Sequence, residues 1–242
     1  MKKNNVIILL FGLLFGIGNE EFLFAETGYV DHSAWDTMLQ KYVSSDGVVN
    51  YEQWKNDETA INDYIDKLSA NIPQQSWGEN ETLAYWMNLY NASTVSLILE
   101  NYPLKSILDI GDPWDIVFIK AGDKEYSLND IEHKIIRKEF NEPRIHFALV
   151  CAAKSCPSLL NEAYEADKLD TQLHQQGVKF INDPAKNKVV GETIEISKLF
   201  DWYEGDFTKN GSLIDFLNAF TKTKVQKDVT IGFMDYDWSL NE

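Results

Sequence analysis

Arg144-Ile145-His146-Phe147-Ala148-Leu149-Val150-Cys151, running on through Ala152-Ala153-Lys154 to Ser155-Cys156-Pro157, is the stretch on which the fold reading turns. It holds both cysteines of the chain and one of its four histidines. Apolar and β-branched residues dominate, and no Gly or Pro interrupts 144–151, which predicts a buried strand ending near Cys151. Successive strand side chains point to opposite faces. Cys151 would then share a face with Ile145, Phe147 and Leu149, while His146 points the other way. Five steps of strand also separate the two by roughly 16 Å. On that geometry they are not partners, and a base for Cys151 has to come from elsewhere.

Outward on the N-terminal side, two further segments carry polar groups at apolar positions. A helix is predicted over 80–100, with Trp86, Asn88, Tyr90 and Asn91 in its centre. Tyr85, Asn88 and Asn91 are three residues apart and share a face. Buried amides need partners, so the pair either braces a loop or supplies a donor for a developing oxyanion. A second helix is predicted after Ser127, which stands at capping-box spacing from Asp130. Leu128, Ile131, Ile135 and Ile136 form its apolar stripe, and Glu132 falls in the middle of it. A buried carboxylate must pair with a cation, accept hydrogen bonds or stay protonated. Arg137 and Arg144 are the structural partners on offer, and a place in a catalytic site is the alternative. His133 sits at the edge of the stripe. Neighbours on a helix are splayed by about 100°, which disfavours a direct bond between Glu132 and His133.

The rest of the chain reads as helices followed by short strands. Residues 31–70 are predicted helical with a break at Ser44-Ser45-Asp46-Gly47, and His32 reads as a surface or capping residue. Strands at 116–119 and 124–126 flank the hairpin signal Ala121-Gly122-Asp123. A helix over 169–180 carries a solvated His174. A hairpin over 188–196 turns at Gly191-Glu192, a short helix follows Ser212, and a last strand spans 229–234. The fold class is α+β: N-terminal helices, then a mostly antiparallel sheet of about five strands flanked by helices.

Composition narrows the function classes. Seven Trp, eleven Tyr and thirteen Phe in 242 residues give ample core material. A net charge of −16 argues against nucleic acid, which needs clustered Lys and Arg, and against an anionic membrane surface. Lys2 and Lys3 before an apolar run over 6–17 read as an export signal, with cleavage after Ala25. The run is too short to span a bilayer comfortably, so no stable membrane span is expected after cleavage. The expected organisation is a signal peptide over 1–25 and a single domain over 26–242, with a helical part at 26–79 and a core at 80–242. The expected location is periplasmic or secreted. Two cysteines in an exported chain also fit a disulfide between Cys151 and Cys156. No metal or cofactor is called for, since no zinc-ligand spacing is present.

These residues resemble family 547 of the numbered domains of unknown function, which has exported bacterial members and plant members with a leucine-zipper extension. The resemblance rests on Trp86-Met87-Asn88-Leu89-Tyr90-Asn91-Ala92, on Ser127 to Arg137 with its Ile131-Glu132-His133 centre, and on Arg144 to Leu159. Leu199 to Phe207 and Tyr236-Asp237-Trp238 match less strictly. The resemblance implies a cysteine-peptidase-like activity with Glu132, His133 and Cys151 as the triad. It gives Cys156 and His146 less weight as chemistry, because the plant members lack their counterparts.

Three functions follow for the structure to sort. The first is a thiol-dependent hydrolase or acyl transferase acting on a peptide or a small amide or ester. Cys151 is its nucleophile, His133 activates it, and Asn88 or backbone N–H groups hold the oxyanion, with Asn91 nearby. The second is a non-catalytic binding module whose cleft is lined by Trp86, Tyr90, Trp202 and Tyr236. The third is a structural disulfide domain. The Cys follows the His in this chain, whereas papain- and transglutaminase-like folds have the opposite order. A permuted or merely analogous arrangement is therefore implied.

Overall fold

The computed structural model describes residues 29–189 and 193–242, so the expected signal segment and the turn at Gly191-Glu192 lie outside it. Its longest element is the helix α4, Glu79–Asn101, in which residues 83–99 are buried without interruption. A helix that is buried all round belongs to the core rather than the surface, and the other elements pack around it. Three helices come before it: α1 (Ser33–Tyr42), α2 (Tyr51–Trp54) and α3 (Glu58–Ala70). Both α2 and α3 pack on α4, and α1 packs on α3. Trp35 of α1 stacks on Tyr64 of α3 and leans on Trp54 of α2, each at 5.7 Å between rings. His32 is not a surface residue. It is buried, with Nδ1 2.7 Å from the Tyr64 hydroxyl.

The hairpin forms as expected from β1 (Ile119–Ala121) and β2 (Lys124–Tyr126), turning at Gly122 in the left-handed region at φ 61°. Ser127 and Asp130 then cap each other reciprocally, backbone to side chain, at 3.0 and 3.1 Å. The helix they open is a π-helix over Asp130–Ile136, which passes into the short α5 (Arg137–Glu139). Its wider turn shows in the Arg137 N–H, which bonds the Glu132 carbonyl five residues back. Ile131, Glu132, Ile135 and Ile136 are all buried on it, so the carboxylate in the apolar stripe is real. Segments of π-helix are rare and frequently mark functional sites.

The stretch 144–151 departs from its predicted strand. Pro143–Phe147 is a 3-10 helix, and the chain after it is a buried loop. Pro143 presets the helical φ at the first turn, and the Glu142 side chain accepts the Arg144 N–H. A short run that buries on every side has no period to separate helix from strand, and residues 145–150 are all buried.

After the cysteines come α6 (Leu169–Ile181), β3 (Thr193–Ile196), α7 (Leu199–Trp202), α8 (Glu204–Phe207), α9 (Leu213–Asn218) and β4 (Thr230–Phe233). A Cβ on Gly177 of α6 would lie 2.8 Å from the Phe220 ring, so this helix approaches its neighbours as only Gly permits. The strands β3 and β4 pair in parallel, with Ile194 opposite Ile231. Lys188 bridges Glu195 in antiparallel fashion, as the expected hairpin over 188–196 requires. The fold is α+β. The five-stranded, mostly antiparallel sheet is not formed: the described residues hold two separate two-stranded sheets, one antiparallel and one parallel.

A last element of order has no regular structure. The C-terminal tail runs against the cysteine loop, where the Lys154 N–H bonds Ser239 O (2.8 Å) and the Asn241 N–H bonds Ala152 O (3.0 Å). The tail also ties back to the N-terminal helices through the Val49 N–H on Asn241 O. Among the described residues no helix is long and apolar enough to cross a membrane.

Candidate functional site

Two amides on α4 replace the missing strand neighbours of the buried loops. Asn91 donates to Ala148 O (3.0 Å) and accepts from the Val150 N–H (3.1 Å). Asn88 does the same to Tyr164, at 2.8 and 3.0 Å. Buried backbone groups must be paired, and a side-chain amide carries the same donor and acceptor as a peptide. Both amides therefore brace loops, each through its oxygen and one N–H, and neither is among the residues lining the cavity described below. Trp86 is likewise away from the cavity described below, held edge-on between Tyr85 and Tyr126.

The brace from Asn91 delivers Cys151 at the end of its loop. Ala152 follows at φ 56°, a left-handed conformation that costs an alanine about 1 kcal/mol. That turn brings the chain back, so that the Cys151 N–H meets the sulfur of Cys156 at 2.9 Å. The two thiols are free. The Tyr236 hydroxyl, carried by the tail, lies 3.3 Å from Cys151 Sγ. Burial works to raise the Cys151 pKa. Hydrogen bonds to its sulfur from Cys156, Tyr236 and the Ala153 N–H outweigh that, and Glu132 opposes them; the balance lies below the ordinary value. Cys156 goes the other way, pushed well up by burial and by its bond to Cys151.

Cys151 opens onto a cavity of about 290 Å³. Tyr90 of α4, Glu132 of the π-helix, His146 of the 3-10 helix and Trp202 and Tyr203 around α7 line it. Trp114, Tyr236 and Trp238 complete the aromatic wall. Trp202 packs on Tyr236 (4.8 Å) and on Trp238 (5.9 Å), and remains 46% exposed at the mouth. Glu132 Oε2 accepts the Tyr90 hydroxyl at 3.2 Å. Neither arginine expected as its partner reaches it: Arg144 pairs with Glu142 and Asp170, and Arg137 with Asp206.

The histidines exchange the places expected of them. His146 lines the cavity together with Cys151, because the segment joining them is a helical turn and a loop rather than a strand. The two are therefore not held on opposite faces of a strand. The Nε2–H of His146 donates to Asp206 Oδ2 at 2.7 Å, and its ring stacks on Tyr203 at 3.9 Å. Hydrogen bonds from His146 and Arg137 hold the Asp206 carboxyl well below the usual range. His133 is not among the cavity-lining residues. Its Nδ1 takes a hydrogen bond from Arg137 (3.0 Å) and stands 3.8 Å from Glu132 Oε1.

Residues 74–181 match the family model described as a protein of unknown function, DUF547. The match supports a DUF547 assignment for this stretch. The DUF547 region contains α4, the π-helix, both cysteines and α6. Trp202, Tyr203, Asp206, Tyr236 and Trp238 lie outside it, so the cavity is closed by residues beyond the matched stretch. No curated protein and no solved structure matches the chain.

Of the residues named from sequence, Cys151, Cys156, Glu132, His146 and Tyr90 come together at the cavity, along with Trp202 and Tyr236. Asn88, Asn91, Trp86 and His133 do not. Asp206 escaped the sequence reading, since an exposed-looking acid in Glu204-Gly205-Asp206-Phe207 carries no signal until His146 is found opposite it.

Proposed function

We propose that this cavity is the active site of a thiol-dependent hydrolase or acyl transferase acting on an amide or ester, working outside the cytoplasm as the Lys2-Lys3 leader suggests. The observation that carries the reading is the sulfur of Cys151. It sits in the cavity wall among donors that favour the thiolate, the reactive form of a cysteine.

In the proposed reaction the Cys151 thiolate attacks the carbonyl carbon, a C–S bond forms, and the π electrons move onto oxygen. The Tyr236 hydroxyl, already at the sulfur, donates to that oxyanion. Collapse breaks the bond to the amine or alcohol, which takes a proton from the His146 imidazolium. The thioester left on Cys151 is then attacked by water, or by an acceptor amine or alcohol, which gives its proton back to His146; collapse breaks the C–S bond, releasing the acyl product and restoring the Cys151 thiolate. Asp206 holds the ring for both transfers. Because the sulfur's own neighbours favour its ionisation, His146 serves the leaving group rather than the thiol. His133, engaged by Arg137, is not assigned this role. Glu132 remains as the carboxylate facing the substrate, and Cys156 positions the Cys151 backbone through its sulfur.

A binding module without chemistry is the second reading, favoured by the aromatic wall and the exposed Trp202. p-Nitrophenyl acetate separates the two. The catalytic reading expects a burst of nitrophenolate and one acetyl group on Cys151 by mass, absent in Cys151→Ser and retained in Cys156→Ser. No burst from a protein whose Cys151 alkylates freely leaves the binding module.

A further inference from the structure

Glu132 is 6% exposed, yet among the described residues no Lys or Arg pairs with it, and its nearest basic group is His133, with Nδ1 3.8 Å from Oε1. A buried carboxylate left that way is costly unless a cation or several donors face it. Its contacts are the Tyr90 hydroxyl at 3.2 Å and, more distantly, the His133 ring, which is itself bonded to Arg137. Tyr203 also lies against it, its own hydroxyl pKa raised by burial and by Glu132. The guanidinium nearest at hand, Arg137, lies over the Tyr203 ring at 4.9 Å and is committed to Asp206. No Lys or Arg lines the cavity. Its wall is aromatic instead: Trp114, Trp202, Tyr236 and Trp238 form a continuous cluster, with Trp114 and Trp238 at 5.7 Å.

A carboxylate at one side of a cage of aromatic rings is the arrangement that recognises an organic cation. Ring faces attract it through their quadrupoles, and the carboxylate supplies the formal charge. The −16 net charge of the chain adds a long-range pull of the same sign. We infer that the cavity takes a substrate bearing an alkylammonium group, seated between Glu132 and the tryptophan wall while its acyl carbon faces Cys151. This deepens the proposed function by naming the substrate class, and it rests on that reading only for the acyl part; the cation site stands on binding alone.

Calorimetric titration of the full chain with choline and with its neutral isostere 3,3-dimethyl-1-butanol tests it. Choline is expected to bind at least about tenfold more tightly, within the range of a desolvated cation–π contact plus a carboxylate. Glu132→Gln should erase that preference while leaving the isostere unchanged. Trp202→Ala, at an exposed position that does not threaten folding, should weaken choline several-fold. Equal binding of the two probes, absence of choline binding, or indifference to both substitutions overturns the inference. If Glu132→Gln fails to fold, the isostere comparison and Trp202→Ala decide. Choline binding without an acetyl-enzyme sinks only the chemistry, and an acetyl-enzyme without choline binding sinks only the cation site.

Discussion

The side chain of Asn91 closes two hydrogen bonds on the loop that ends in Cys151, one to Ala148 O and one from the Val150 N–H. It does for that loop what a neighbouring strand does in a sheet, and it does so in a fully buried place. Removing it strands a buried donor and a buried acceptor, each worth about 1–3 kcal/mol. Asn91→Ala should therefore destabilise the protein by about 3 kcal/mol, measured as a shift in the urea midpoint. Asn91→Asp keeps the acceptor for Val150 but faces Ala148 O with a carboxylate, and should recover little of the loss. A change below about 0.5 kcal/mol in Asn91→Ala, the size of an ordinary surface substitution, would show that the loop holds itself.

His32 makes stability fall on the acid side. Burial, with a smaller push from Lys67 and against Asp31, lowers its pKa to about 4. The unfolded chain titrates near 6.5. As pH drops below 6.5 the unfolded chain therefore takes up a proton that the folded chain refuses, and folding loses ground until pH reaches about 4. Between pH 7.5 and 5 this amounts to about 2 kcal/mol. His32→Asn should flatten that part of the pH–stability curve while lowering its plateau. A wild-type curve flat from 7.5 to 5 contradicts the buried, neutral ring.

The two histidines near the site should separate cleanly in kinetics. Acid–base groups contribute about 10²–10⁴ to rate, so His146→Ala should slow release of the acyl group from Cys151 by about 100-fold or more. Asp206→Asn should act through the same ring, lowering turnover and moving the pH profile without abolishing acylation. His133→Ala should stay within a few-fold of wild type. The reverse ranking would return the role to His133 and to the order implied by the family resemblance.

Much of the scaffold was legible because its signals are periodic. The helix α4, the Ala121-Gly122-Asp123 turn and the Ser127–Asp130 cap all follow from spacing and turn chemistry, and Glu132 stood out because it breaks an apolar stripe. The stretch 144–151 was not legible, because it buries on all sides and its hydrogen bonds go to side chains. One wrong element then misplaced two histidines. Read as a strand, it put His146 and Cys151 on opposite faces; as a helical turn and loop it lets both line one cavity. Trp202 and Tyr236 were expected at a cleft, whereas Asp206 and Trp114 reach the site from distant parts of the chain with no local pattern that singles them out. The sheet was overcounted for a related reason. Residues 144–151 were counted as one of its strands, and there the Asn91 side chain supplies the backbone pairing instead.

The central claim is that the neighbours of Cys151 hold it as a reactive thiolate, and the pH dependence of its alkylation tests that directly. The Cys156→Ser protein, first shown to be folded by circular dichroism, is reacted with iodoacetamide from pH 5 to 10 alongside its Tyr236→Phe derivative. The rate should rise through a midpoint below the free-thiol value of about 8.5. Loss of the Tyr236 hydroxyl, which lies 3.3 Å from the sulfur, should move that midpoint upward. A native thiol that labels only above about 8.5, with the same midpoint in both proteins, would contradict the account and leave an aromatic binding cavity with an inert cysteine in its wall.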